Sequence, residues 1–197
     1  MAKKYSKYAL ANGSVVPGVT SILSCIAKPA LYGWYAKHGK NAQIKLQEAS
    51  ELGSTVHTLI EAIYNGQKPS LNERMKTIAD NFQSLASGVV KEWLWFERKI
   101  ISEQYGYGGT ADLAFIDVDG KKVLADIKTS SGVWPEMSLQ IAAYEQALNE
   151  DGEKYDRKVI FHLDKETSVW EVVEIETEGL MPVFLSALTI WKWQAGK

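Results

Sequence analysis

The chain has 197 residues, 46% of them hydrophobic and 23% charged, with a formal net charge of −2. That balance excludes a largely disordered chain and gives no global pull toward nucleic acid, so any affinity for DNA must come from a local groove or a bound cation. Cys25 is the only cysteine. It excludes an internal disulfide, a zinc ribbon and an iron-sulfur cluster and leaves metal chemistry to O and N ligands.

The start, Met1 to Lys7, is basic but has no apolar run behind it, and nowhere do about 18 uninterrupted apolar residues occur. The expectation is an intracellular protein that does not enter a membrane. The length suits one domain over 1–197, with no repeat and no Pro/Gly/Ser linker. It divides into a mainly helical opening region (1–90), a sheet core (91–178) and a closing helix (179–197).

In chain order, Val19 to Ala27 reads as a short helix stopped by Pro29, and Leu31 to about Lys40 as a second. Asn41 to Tyr64 reads as a long helix ending at Asn65-Gly66, and Leu71 to about Val90 as a fourth. From Trp93 the pattern becomes strand-like: Trp93 to Ile101, Gly109 to Val118, a turn at Asp119-Gly120, then Lys122 to Lys128, together an antiparallel meander. A helix from Pro135 to Leu148 follows, with Pro at its first turn. Strands at Lys158 to Leu163 and Ser168 to Ile175 and a last helix from Leu180 to Trp193 complete an α/β chain. Seven tryptophans is a high count. Trp93, Trp95, Trp191 and Trp193 lie in apolar segments and read first as core, with base-stacking platforms as the alternative.

Chemistry concentrates near the end of the meander. Asp126 and Lys128 are two apart on a strand and leave the same face, while Ile127 points away. Asp112 sits between Ala111 and Leu113, where an unpartnered carboxylate would cost several kcal/mol to bury. A divalent cation shared with Asp126 would compensate it. Sharing sets a condition on the turn: a two-residue turn at Asp119-Gly120 would place Asp112 opposite Ile127 and send the carboxylates to opposite faces. A three-residue loop, Val118-Asp119-Gly120 with Gly120 left-handed, pairs Asp117 with Lys121 and sets Asp112 opposite Asp126. The longer loop, or an equivalent bulge, is expected.

These residues resemble the PD-(D/E)XK nuclease superfamily, and within it the RecB-like branch that includes phage exonucleases and the mitochondrial genome maintenance exonuclease. Four blocks carry the resemblance in order over roughly residues 15–150. Gly53-Ser54-Thr55-Val56-His57 is similar to the branch's helical Gly-x-x-x-His, and Gly109-Thr110-Ala111-Asp112 to its Gly-x-x-Asp. Asp126-Ile127-Lys128-Thr129 is similar to its Asp-x-Lys-Thr, and Gln140-Ile141-Ala142-Ala143-Tyr144 to its Gln-x-x-x-Tyr. The segment from Val16 to Leu23 and that from Lys28 to Trp34 also resemble the opening of the exonuclease group. Two departures are plain: Ala111 stands where the superfamily's name has Pro, and the four cysteines of iron-sulfur relatives are missing.

The resemblance implies a restriction-endonuclease-like core, a mixed central sheet flanked by helices, with the N-terminal helical region added. It implies catalysis by Asp112, Asp126 and Lys128, and Mg²⁺ or Mn²⁺ held by His57, Asp112, Asp126 and the carbonyl of Ile127. The reaction implied is phosphodiester hydrolysis, with Lys128 orienting the nucleophile or neutralising charge. Gln140, Tyr144 and Thr129 would contact DNA or brace Lys128, simple packing against the sheet being the alternative for the first two. Glu61, one turn past His57, would orient the ring or merely face solvent; Glu97, on the strand before Asp112, either matches an acidic position that some relatives carry or is an ordinary exposed strand residue. His38 and His162 read as structural. Lys37, Lys40, Lys45, Lys121 and Lys122 are candidates for phosphate contact but read first as soluble surface.

The function implied is exonuclease action on single-stranded DNA or DNA ends, in the cytoplasm of a bacterium or phage-infected host, with a recombination or replication protein as a possible partner. The rivals are a junction-resolvase-like endonuclease and a catalytically inactive DNA-binding or regulatory module.

Overall fold

The structure is a computed structural model that describes residues 8–196. The basic start at residues 1–7, read above for the absence of a targeting signal, lies outside the described residues. Tyr8–Ala9 (β1) and Val15–Val16 (β2) pair as a small hairpin that the sequence reading did not anticipate. Helices follow at Val19–Leu23 (α1) and Pro29–His38 (α2). Pro29 opens α2 instead of only closing α1, because the first-turn N–H that proline lacks has no helical partner in any case. A 3₁₀ turn at Gly39–Asn41 leads into Ala42–Tyr64 (α3), and Glu73–Val89 (α4) begins where the Asn72 side chain accepts the Met75 N–H at 2.9 Å.

The sheet begins with Val90–Ser102 (β3), Tyr107–Asp117 (β4) and Lys122–Lys128 (β5), the expected antiparallel meander. Helix Pro135–Glu150 (α5) carries the chain to Arg157–Leu163 (β6), which lies parallel to β5. Trp170–Glu174 (β7) pairs antiparallel on its far side, and Met181–Gln194 (α6) closes the chain. The result is an α/β core with a mixed five-stranded sheet in the order β3-β4-β5-β6-β7, flanked by helices. No helix among the described residues is long and apolar enough to cross a membrane.

Strand alternation divides the core between the two faces. Leu124 joins Ile22, Tyr107, Ile141, Ile160 and Phe184 beneath α1, α5 and α6. Its neighbours Val123, Ala125 and Ile127 pack instead with Val56, Ile60, Ile78 and Phe82 of α3 and α4. On that second face Phe82, Phe115, Phe161 and Trp170 make ring contacts with centroids 5.1–5.8 Å apart. Each such ring, fully buried, contributes about 1.5–3 kcal/mol through the area it removes from water. Trp93 joins this cluster and Trp191 is buried on the other face, as expected of core residues. Trp193 corrects the core reading: it is 77% exposed, because α6 packs by its Phe184, Ala187, Leu188 and Trp191 stripe and turns Trp193 outward.

The β4–β5 register meets the condition the turn had to satisfy. Leu113 pairs with Ala125 and Ile116 with Lys122, the Asp117 N–H donates to the Lys121 carbonyl at 2.9 Å, and Gly120 has φ +81°. Continued toward the sheet end, that register sets Asp112 level with Asp126. The loop is fixed from within: Asp117 Oδ1 accepts the N–H groups of Asp119 and Lys121, and its other oxygen pairs with Arg157.

Candidate metal centre

The site lies at the C-terminal end of β5, where that strand, its neighbour β4 and helices α3 and α5 converge. Asp112 Oδ2 accepts the Ile127 N–H at 2.7 Å, which joins β4 to β5 beyond the last regular pair. Asp126 is almost wholly buried at 1% exposure; its Oδ1 accepts from Gln140 Nε2 at 2.9 Å, and its Oδ2 lies against the Lys128 ammonium without a well-directed hydrogen bond. Gln140 also donates to the Tyr144 hydroxyl at 3.0 Å, so the one-turn spacing on α5 delivers a relay from Tyr144 through Gln140 to Asp126. This relay places Gln140 and Tyr144 beside the carboxylate that pairs with Lys128, while Tyr144 also packs in the core as the alternative reading had it.

Two glycines permit these approaches. A Cβ on Gly109 would fall 2.5 Å from Tyr144 Cε1, and one on Gly53 would fall 3.2 Å from Thr129 Oγ1. Gly109 therefore lets the Tyr144 ring lie over β4, and Gly53 lets α3 approach the end of β5. Thr129, expected at DNA, sits against α3 at this contact. One turn beyond Gly53, His57 Nε2 lies 3.2 Å from the Ile127 carbonyl. A carbonyl only accepts, so Nε2 carries the proton in that contact. The carbonyl expected to bind a metal thus accepts from the histidine and keeps a second lone pair.

The other ring nitrogen faces the carboxylates. His57 Nδ1 is 3.5 Å from Glu97 Oε1 and 3.8 Å from Asp112 Oδ1. Among the described residues, His57, Glu97 and Asp112 form the group whose possible ligand atoms all fall within 4.8 Å of one another. Asp126, expected in the same set, turns its oxygens to Lys128 and Gln140. The structure therefore brings together every residue expected in the site but sorts them into two halves that meet at Asp112. Glu61 is exposed, and the carboxylate beside the imidazole is Glu97.

Electrostatics reflect this crowding. Burial, followed by the negative charge of Asp126, raises the Asp112 carboxyl to about 7. For His57 burial works downward, but hydrogen bonding to Glu97 and the charges of Asp112 and Asp126 prevail, and its pKa is raised. For Lys128 burial again works downward, and Asp126 and Asp112 outweigh it. Lys128 therefore stays an ammonium at neutral pH and acts as a cation and donor, with no lone pair for general-base work. Burial and then Asp126 hold the Tyr144 hydroxyl protonated, with its pKa well above the ordinary value.

Beside Lys128 and Gln140 a groove of about 610 Å³ runs along α1, the start of α2 and the first turns of α5, walled by Leu23, Cys25, Tyr32 and Met137. Lys28 ties the two sides by an ion pair with Glu136 at 2.8 Å. Tyr32 is exposed, and Trp34 and His38 on the same helix stack with centroids 4.4 Å apart. His162 is a structural brace, as expected: its two nitrogens lie 2.8 Å from the Ser130 carbonyl and from Glu171, pinning the loop after Lys128 to β6 and β7.

The donor chemistry fits a hard or borderline divalent cation, with carboxylate oxygens, one imidazole and no thiolate. With all three ionised, Glu97, Asp112 and Asp126 face the one ammonium of Lys128, which leaves two negative charges when His57 is neutral.

No family model matches the sequence, and no curated protein matches it. Among solved structures the chain is similar to the crystal structure of SSO0001, with a TM-score of 0.50 and 14% identity over 98% of this chain and 79% of that one. At that identity the likeness extends to the α/β fold alone.

Proposed function

We propose that this protein is a divalent-metal-dependent deoxyribonuclease of the PD-(D/E)XK, RecB-like type, acting on single-stranded DNA or DNA ends. The observation that carries the reading is the convergence of Asp112, Asp126 and a permanently charged Lys128 with His57 at one buried strand end, beside an open groove. Phosphoryl transfer asks a protein mainly for position and for charge complementary to the developing oxyanion.

Each half of the site has a part in that task. His57 and Asp112 would hold Mg²⁺ or Mn²⁺, which when bound supplies a water of lowered pKa and a Lewis acid at the phosphate. Lys128 donates to the attacking water or to a non-bridging phosphate oxygen. Asp126 holds the ammonium on that line, and Gln140 and Tyr144 hold Asp126. The loop braced by His162 keeps the end of β5 from fraying. The groove beside Lys128 gives the strand a route past α2, where the exposed Tyr32 ring offers a face for a base.

The test is degradation of end-labelled and covalently closed circular DNA by wild type and Lys128→Ala, each with Mg²⁺ and with Mn²⁺. Wild type is expected to shorten end-bearing DNA and spare circles, while Lys128→Ala loses about 10²–10³-fold in rate and still binds DNA. Cleavage of circles would replace exonuclease with endonuclease. A wild type inert with both metals would leave a DNA-binding module on this fold.

A further inference from the structure

We infer that Glu97, a residue outside the matched motifs, is a ligand of the metal and completes a His57–Glu97–Asp112 chelate; this rests on the metal-dependent reading above. The first argument is register. Phe96 pairs with Leu113 and Arg98 with Ala111, so Glu97 falls level with Asp112 across the β3–β4 ladder. Like charges directly opposite on neighbouring strands repel. Here they are also directed at one nitrogen, at 3.5 and 3.8 Å.

The second argument is the tautomer. With Nε2 donating to the Ile127 carbonyl, Nδ1 of a neutral His57 presents a lone pair to two carboxylates. Nδ1, Oε1 and Oδ1 then form three lone-pair donors converging on one point. Such a triad demands a proton or a cation between its members, and a cation satisfies all three at once. The carbonyl that fixes the ring plays the part that outer hydrogen-bond acceptors play for metal-bound histidines.

The third argument is the backbone: Glu97 is in a left-handed conformation at φ +50°, rare for a residue other than glycine. The chain leaves ordinary strand geometry at the position where doing so brings a carboxylate to the triad.

The experiment measures Mn²⁺ affinity by the electron paramagnetic resonance of free Mn²⁺, using the full chain without DNA. Glu97→Gln keeps size and removes the charge; it is expected to weaken Mn²⁺ binding by at least about tenfold, the scale set by perturbing a metal shell. Glu97→Asp recovers part of the loss. Glu92→Gln, which removes an exposed acid from the same strand, leaves affinity unchanged. Glu97→Gly relieves the left-handed backbone, so it folds at least as well as wild type in metal-free buffer and shows the same loss of affinity. Equal binding by wild type and Glu97→Gln, or equal weakening by Glu92→Gln, overturns the assignment of Glu97 while leaving the nuclease reading intact. A wild type that binds no Mn²⁺ overturns both.

Discussion

The two halves of the site meet at Asp112 but differ in how their polar groups are satisfied. On the α5 side, Asp126 has Gln140 on one oxygen and Lys128 on the other, Gln140 reaches Tyr144, and the charges largely compensate. On the α3 side, one imidazole nitrogen faces two carboxylates at 3.5 and 3.8 Å, and among the described residues neither carboxylate forms an ion pair with a lysine or arginine. A satisfied network gives rigidity; a set of converging acceptors gives affinity for something absent from the chain. On the proposed metal-dependent reading, the α5 half is the scaffold and the α3 half the receptor.

Removing the shared residue should break both halves together and have the largest effect. Asp112→Asn keeps an acceptor for the Ile127 N–H but removes the charge on which the chelate depends. Metal-supported hydrolysis is expected to fall by about 10³-fold or more, and Mn²⁺ affinity with it. Lys128→Ala, in contrast, loses hydrolysis and keeps metal. Single-turnover rates and Mn²⁺ titrations on both variants check this, and retention of full metal affinity by Asp112→Asn would dissolve the two-half picture.

The pH dependence of stability sharpens the same contrast. Burial and the charge of Asp126 raise Asp112 from the ordinary carboxylate range to about 7 in the fold, so folded protein holds its proton where unfolded chain has released it. Its contribution to stability is complete below about pH 4 and is lost as pH rises toward 7. The raised pKa of His57 acts in the same direction, its contribution fading as pH rises through the folded value. At pH 8 the metal-free protein is therefore less stable than at pH 5, with an upper bound of about 4 kcal/mol from Asp112 alone. Asp117 and Glu153 behave oppositely: burial opposes their ionisation, but backbone N–H groups and Arg157 for the first, and Lys122, Tyr155 and Arg98 for the second, hold them below their usual range. Their contributions are lost only in acid, so the interval from pH 5 to 8 isolates the site. Urea midpoints at the two pH values, with and without Mn²⁺, are the measurement. Saturating Mn²⁺ reverses the trend, because ligation requires the ionised carboxylate.

How much of this was legible in the sequence follows from which signals are local. The elements from α4 to α6 were readable within two or three residues at most ends, since periodicity and turn residues are properties of contiguous segments. The β4–β5 register was readable because it follows from one loop, and the condition that the two aspartates share a face chose the loop length. The β1–β2 hairpin escaped, being two residues per strand. Glu97 was half seen: its neighbour Phe96 fits an ordinary strand alternation, and only the bulges between Val90 and Glu92 and between Trp93 and Trp95 set its register against β4. Bulges arise from packing between strands and leave little trace in one strand's sequence. Asp126 as a metal ligand was read from the cost of burying Asp112 and from the resemblance; that Gln140 and Lys128 contact its oxygens depends on how α5 packs, which leaves no local signal.

A smaller perturbation tests whether the α5 half can fail by itself. Gly109→Ala adds one methyl group whose position is 2.5 Å from Tyr144 Cε1, a distance that requires the ring or the strand to move. Tyr144 is buried beside Ile141 and Leu148 and has little room to give. Overpacking of this kind costs about 1–3 kcal/mol, seen as a lowered urea midpoint with unchanged slope. The displaced ring shifts its hydroxyl from Gln140 and loosens the support of Asp126 and Lys128, so the rate of hydrolysis falls further than the loss of folded protein explains. Among the described residues no hydrogen bond joins His57, Glu97 or Asp112 to the Tyr144 hydroxyl, and Mn²⁺ affinity is expected to stay near the wild-type value. A Gly109→Ala protein that lost Mn²⁺ affinity in proportion to its rate would show that the halves are mechanically one, with Asp112 transmitting every displacement from α5 to α3.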